Sequence, residues 1–242
     1  MRAGCVELTV LTLIHEDADM LVVDKPAGLV CHPSKDGELS SLIGRVRLHL
    51  GHAEGRLVNR LDRETSGVVL IAKGADVARE LGRLFASGGR VEKVYDAIVY
   101  GHLHQALTID APLGRDEHSA VAIKDRVRSD GAPARTDVQP LQTFTGPAGE
   151  LTLVEVRPRS GRKHQIRIHL AHIGHPVVGD KIYGRDEQIY LRFVTRTMTE
   201  ADEAALVVEH HALHARLLAF DWRDRTWTFD APRPASFEHR PR

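Results

Sequence analysis

Five consecutive apolar residues, Val68-Val69-Leu70-Ile71-Ala72, bounded by Gly67 and by Lys73-Gly74, constrain this chain most. A run of that length is strand-sized and is stable only when buried in a core. Further strands are expected at Val91–Tyr100, Thr136–Phe144, Leu151–Val156, Ala215–Phe220 and Thr226–Phe229. Leu8–Ile14 and Met20–Val23 read as a hairpin joined by the polar turn His15–Asp19. Helices are fewer. Ile43, Val46 and Leu50 recur at helical spacing behind Ser40 as cap, and Val77, Leu81, Leu84 and Phe85 repeat that pattern up to Gly88-Gly89. A third helix is expected over Lys163–Ile173, with Ile166, Leu170 and Ile173 on one face. Many strands without regular βαβ alternation give an α+β fold, a mixed and largely antiparallel central sheet with flanking helices. The chain of 242 residues suits a single domain over 1–242 with room for two lobes. Residues 101–135 and the tail from Ala231 read as loosely packed chain.

Composition narrows the function classes. The only cysteines, Cys5 and Cys31, cannot make a disulfide framework or a four-cysteine zinc site, so a reducing cytoplasm is expected. Glu7 breaks the apolar run of the N-terminal stretch, which is too short for a signal sequence or a bilayer span. The 33 basic and 33 acidic residues cancel, yet 26 of the basic ones are Arg, the side chain suited to forked phosphate contacts. Between Arg157 and Arg185 seven cations face one acid, Asp180, a local charge of +6.

Three segments carry candidate chemistry. Asp62 sits between Arg60 and Arg63, on a loop closed by Thr65-Ser66-Gly67 directly before the buried strand. Alone it is an ordinary turn former whose carboxylate caps backbone N–H groups. Its setting, an acid flanked by guanidinium charge and held by a rigid strand, is also that of an ionised site residue. Tyr95 alternates with Ala97 and Val99 on one strand face, either as a core tyrosine or as a stacking platform for an unpaired base. Arg162 and Lys163 open the third helix, where backbone N–H groups favour an anion, and Arg167 follows one turn beyond Lys163; a solvated basic face is the alternative.

Other chemistries have little support. His172-x-x-His175 and Glu209-His210-His211-x-x-His214 are the best metal candidates, but neither has HExxH order, and Leu213–Phe220 reads as strand. Phosphate-loop, dinucleotide and G-x-S-x-G signatures are absent, so no nucleotide cofactor or metal is expected.

Taken together, Asn59-Arg60-Leu61-Asp62-Arg63-Glu64-Thr65-Ser66-Gly67, Lys93-Val94-Tyr95 and Gly161-Arg162-Lys163-His164-Gln165-Ile166-Arg167 followed by His175-Pro176-Val177-Val178-Gly179-Asp180 resemble RluA-type RNA pseudouridine synthases. Val23-Asp24-Lys25-Pro26-Ala27-Gly28 and Leu213-His214-Ala215 extend the similarity from about Leu11 to Ala231. Asn59 stands where the family often has His, which touches a local hydrogen bond rather than the chemistry. No S4-type RNA-binding domain is expected, because the similarity begins almost at Met1.

The resemblance implies isomerisation of uridine to pseudouridine in ribosomal or transfer RNA, by a monomer without cofactor. Asp62 would attack C1′ or remove a proton at C2′, and these alternatives stay open. The target nucleotide would be flipped from its stack, with Arg60 filling the vacated space. Tyr95 would stack on the flipped ring, Arg167 would pair with Asp62, and Arg60, Arg63, Arg162 and Lys163 would bind RNA. Two rivals make different demands: a metal-dependent hydrolase would use the histidine clusters, and a non-catalytic RNA-binding module would have no use for Asp62.

Overall fold

A computed structural model describes residues 11–33, 37–51, 54–86, 90–146 and 148–237. The strands are β1 (Thr12–Glu16), β2 (Met20–Lys25), β3 (Gly55–Leu57), β4 (Ser66–Lys73), β5 (Val91–Tyr100), β6 (Leu107–Asp110), β7 (Leu113–Arg115), β8 (Asp125–Val127), β9 (Arg135–Gly146), β10 (Gly149–Pro158), β11 (Leu213–Trp222) and β12 (Arg225–Asp230). The helices are α1 (Leu42–Leu50), α2 (Ala75–Ala86), α3 (Gln165–His172), α4 (Gln188–Thr195) and α5 (Glu200–Leu206). Eight strands form the path β1-β2-β4-β11-β5-β10-β9-β6, β3 pairs with β4, β12 with β11, and β7 and β8 form a separate ribbon. All pairings are antiparallel except β4 with β11, so the fold is the mixed α+β class expected.

The apolar run explains the centre of this sheet. Val68, Leu70 and Ala72 of β4 enter one core cluster with Met20, Val22 and the α2 residues Val77 and Leu81. Val69 and Ile71 enter another with Leu21, Val23 and Leu42, Ile43 and Val46 of α1. Since alternate side chains of a strand point to opposite faces, a strand covered on both sides must be apolar at every position. With these five side chains buried, β4 gives the loop that precedes it a well-packed support.

The parallel junction of β4 and β11 depends on Gly67. Its φ is 112°, and a Cβ there would lie 2.2 Å from the carbonyl oxygen of Ala215. Only glycine permits both the backbone angle and this approach. Ser66 and Gly67 thereby pair with His214 and Ala215, which brings the C-terminal third of the chain against the Asp62 loop.

Several local expectations are corrected. Ser41, not Ser40, caps α1, its hydroxyl accepting from the N–H of Gly44. The third helix begins at Gln165, leaving Arg162 and Lys163 in the loop before it. Residues 101–135 are not loose: they contain β6, β7 and β8 and bury Leu103, Ile109, Leu113, Val121 and Ala134. The described part of the tail is anchored at its two ends, by Ala231, fully buried with its N–H donating to the Arg216 carbonyl, and by the buried Phe237, while Pro232, Arg233, Ala235 and Ser236 between them are exposed. Cys31 is buried, whereas Cys5, Leu8–Val10 of the expected first strand, and Gly88-Gly89 lie outside the described residues. No helix among the described residues is long and apolar enough to cross a membrane.

Candidate active site

The loop between β3 and β4 carries Asp62, and four sets of contacts hold it. Asn59 clips it to the central strand: its carboxamide donates to the Val68 carbonyl and accepts the N–H of Leu70. Asn59 therefore supplies a local backbone anchor of its own in place of the common histidine. The Lys25 ammonium, fully buried, donates to the carbonyls of Pro26, Leu29 and Arg63, tying the Lys25–Gly28 turn to the loop. Burial pulls this lysine down to about 8. From the far end of the chain, His211 bonds Thr65 Oγ1 at 2.7 Å and His214 bonds Ser66 Oγ at 2.9 Å. Glu64 receives Lys181 Nζ at 2.7 Å.

Asp62 itself faces a buried cation. Arg167 Nη1 donates to Asp62 Oδ2 at 2.8 Å, while its Nε and Nη2 form a fork onto Asp180 at 2.6 and 2.8 Å. Arg167 is buried and the Asp180 side chain has no exposure, whereas the Asp62 side chain is 29% exposed. Asp180 is oriented in turn by the N–H groups of Ile182 and Tyr183. The result is one guanidinium shared between a sealed carboxylate, which fixes it, and a second carboxylate open on one side. Burial works against charge on Asp62, but Arg167 together with the neighbouring His164 and His211 outweighs it and holds the carboxyl below its ordinary range. Among the described residues no hydrogen bond reaches Asp62 Oδ1.

Asp62 and Arg167 line a cleft of about 800 Å³ between the Asp62 loop, β5 and the loop before α3. Tyr95 contributes from β5, half-buried between Val156 and Ala215 of its neighbouring strands. Burial, and then the nearby Asp62 charge, push its phenol well above the ordinary range, so at neutral pH it is an uncharged ring. Arg60 and Arg63 are exposed on the rim, and among the described residues neither has a carboxylate partner; Arg63 donates to the Gly28 carbonyl. Arg162 donates through Nε to the Pro133 carbonyl, also without an acid. Lys163 is paired with Asp125 at 2.9 Å, and Arg167 points into the core instead of sharing its side with the basic loop. The helix start is occupied by its own sequence: Gln165 Oε1 accepts the Arg162 N–H and the Ser160 hydroxyl, and its amide donates to Arg135 O and Thr136 Oγ1.

The expected Asp62, Tyr95 and Arg167 thus meet at one cleft, with Arg60, Arg63, Arg162 and Lys163 around it. Two contributors were not assigned from sequence. Asp180 stood in the sequence as the lone acid of a basic stretch and as the end of the His175–Asp180 similarity, with no role of its own. Lys93, which lines the cleft with its ammonium 5.4 Å from the Phe85 ring, carried no signal beyond its place beside Tyr95. The histidine clusters do not converge: among the described residues no three His, Cys, Asp or Glu side chains form a metal cage, and His211, His214 and His175 are engaged by Thr65, Ser66 and the Tyr100 carbonyl.

Fold and site together define an α+β protein whose central sheet presents an ionised, arginine-held aspartate beside a tyrosine in a cation-rimmed cleft. The family model described as RNA pseudouridylate synthase matches residues 19–172, and the chain belongs to this family. It is 34% identical over 218 residues to the ribosomal large subunit pseudouridine synthase D of Pseudomonas aeruginosa, an alignment covering 87% of this chain and 64% of that one. An uncharacterized RNA pseudouridine synthase of Chloroflexus aurantiacus is 39% identical over 171 residues, covering 66% and 51%. This chain thus spans about half to two thirds of the length of such curated relatives. Human RNA pseudouridylate synthase domain containing 1 superposes with a TM-score of 0.76 at 26% identity, covering 98% of this chain and 89% of that one. Human RNA pseudouridylate synthase domain containing 4 does so at 0.70 and 26%, covering 93% and 90%.

Proposed function

We propose that this protein isomerises uridine to pseudouridine in RNA, with Asp62 as the reacting carboxylate. The observation that carries the reading is the division of labour on Asp62, which lines the cleft: Arg167 occupies Oδ2, and among the described residues no hydrogen bond reaches Oδ1. That oxygen serves equally for attack at C1′ or for proton removal at C2′, and in both cases the bond from C1′ to N1 breaks, the uracil turns, and C5 joins C1′. The C5 proton is lost and N1 gains one, so atoms balance without redox change.

Each remaining residue has a task that its chemistry suits. Reaching C1′ and C5 requires a nucleotide out of its stack, at ~ a few kcal/mol, and the cleft is of a size that holds one. Tyr95 offers a neutral face for the extruded ring. Arg60, Arg63 and Arg162, which have no carboxylate partner among the described residues, offer guanidinium groups to phosphates, with Arg60, exposed on the rim of the cleft, suited to fill the gap in the stack. Lys163, whose charge is shared with Asp125, has a smaller part. The names of the P. aeruginosa relative and of others like it make large-subunit ribosomal RNA the first substrate to test.

The test is tritium release from 5-tritiated uridine in unmodified large-subunit ribosomal RNA, with EDTA in excess. Wild-type protein should release tritium, and Asp62→Asn should release none while binding the RNA and melting within a few degrees of wild type. Asn keeps the size of Asp but is neither nucleophile nor base. Turnover within tenfold of wild type would remove Asp62 from the chemistry. Activity abolished by EDTA and restored by zinc would favour the metal hydrolase.

A further inference from the structure

His164 stands apart from the basic residues around it. It precedes α3 with φ at 55°, in the left-handed region, and its side chain is only 10% exposed where it lines the cleft. Its Nδ1 lies 2.9 Å from the Tyr183 hydroxyl, and its Nε2 lies 3.9 Å from Asp62 Oδ2, the oxygen that Arg167 holds. Tyr183 is itself fixed. Its N–H donates to Asp180, its ring lies 5.1 Å beneath the Arg167 guanidinium, and its hydroxyl oxygen accepts the N–H of Asp125 at 3.1 Å.

This arrangement favours one place for the imidazole proton. Burial keeps the Tyr183 phenol protonated at neutral pH. With Asp125 donating to the phenol oxygen, the one hydroxyl proton has a single acceptor in reach among the described residues, His164 Nδ1. A neutral imidazole that accepts at Nδ1 carries its hydrogen on Nε2, and that edge is turned toward Asp62. Asp62, Arg167, Tyr183 and His164 then form a ring of side chains, braced by Asp180 through Arg167 and the Tyr183 N–H, whose one gap, 3.9 Å between His164 and Asp62, is short enough to tighten when substrate binds.

We propose that His164 is a positioning residue for Asp62: a neutral imidazole, locked by Tyr183 with its hydrogen on Nε2, which confines Oδ2 together with Arg167 and leaves Oδ1 to react. The role rests on Asp62 being the reacting group. Asp62, Asp180, Arg167, Lys163 and Tyr183 are the charged and titratable groups that face the imidazole. Protonating it takes the Nδ1 lone pair from Tyr183, opens the ring and adds a second cation beside the carboxylate. Activity should therefore have an acid limb set by His164.

Single-turnover rates with saturating protein and uridine-containing ribosomal RNA, measured across pH, test this. His164→Ala should slow the chemical step about 100-fold, the scale of a misplaced reacting group, with RNA affinity within twofold. His164→Gln, which presents an amide N–H near the Nε2 position, should recover most of that loss and flatten the acid limb. Tyr183→Phe, which removes the donor to Nδ1, should move the acid limb to higher pH. His164→Ala within threefold of wild type, His164→Gln as slow as His164→Ala, or an unmoved limb in Tyr183→Phe would each overturn the role. Nitrogen-15 NMR of histidine-labelled protein, with His164 assigned by difference from His164→Gln, reads the tautomer without any substrate: the hydrogen belongs on Nε2, and one found on Nδ1 overturns the lock. Wild-type protein that makes no pseudouridine overturns the functional reading and this role with it; wild type that does, with His164→Ala equally fast, overturns this role alone.

Discussion

Arg167 shows how one side chain couples fold to chemistry. Its guanidinium is sealed between Asp180, which has no solvent exposure, and Asp62, which does. Arg167→Met keeps much of the apolar stem but strands a buried carboxylate, so it should cost ~3–5 kcal/mol of stability as well as the chemical step. Adding Asp180→Asn to that variant removes the stranded charge and should recover much of the stability, because replacing both members of a buried pair is far cheaper than breaking it. The chemical step should stay lost, since Asp62 still lacks its partner. Urea midpoints and single-turnover rates of the two variants separate these effects. A double variant as unstable as the single one would mean that the Asp180 charge is not what Arg167 compensates.

At the scale of elements, Gly67 is the hinge of the design. Gly67→Ala must either part β4 from β11 or displace Ala215, because the added Cβ has 2.2 Å where it needs more than 3 Å. Overpacking and the left-handed backbone together should cost ~3 kcal/mol or more, read as a lowered urea midpoint. Loss below about 1 kcal/mol would show that the junction relaxes easily. That glycine was visible in the sequence as the boundary of the apolar run, and β4 and β5 followed from their unbroken β-rich patterns. The end of α3 nearest the site was misplaced because Gln165, a residue with no cap signature, satisfies the preceding loop through its side chain. β6, β7 and β8 were unreadable because strands of three or four residues that bury at most one side chain each leave no period to detect. α5 did carry a signal, the capping box formed by Thr199 and Asp202, in a stretch for which no element was assigned. Asp62, Tyr95 and Arg167 were legible because each belongs to a local motif. The supporting roles were not: Asp180 closes one of those motifs, but its fork onto Arg167, like the place of the Tyr183 ring against that guanidinium, comes from distances that only the folded chain defines.

Over the whole molecule, the contrast between zero net charge and a basic stretch of +6 is resolved by pairing. Arg157 meets Glu155 and Glu92, Arg159 meets Asp137, Lys163 meets Asp125, Arg167 meets Asp180 and Asp62, and Lys181 meets Glu64. Five of its seven cations are thus paired with acids, several of them from distant parts of the chain, so the positive charge left free is smaller than the local +6. Cations that line the cleft without a carboxylate partner among the described residues are Arg60, Arg63, Lys93 and Arg162. Salt dependence of RNA binding distinguishes the two kinds. A guanidinium that neutralises a phosphate releases counterions and adds ~0.7–0.9 to the slope of log affinity against log salt. Arg162→Gln should flatten the slope by about that amount, and Arg60→Gln likewise, with all RNAs weakened alike because phosphate contacts carry little sequence information. Arg159→Gln should leave the slope unchanged, since Asp137 at 2.6 Å already supplies its counter-charge. Anisotropy titrations over a salt series measure all three. Equal flattening by Arg159→Gln and Arg162→Gln would show that the surface ion pairs open on binding, and the track of the RNA would then include the whole basic stretch.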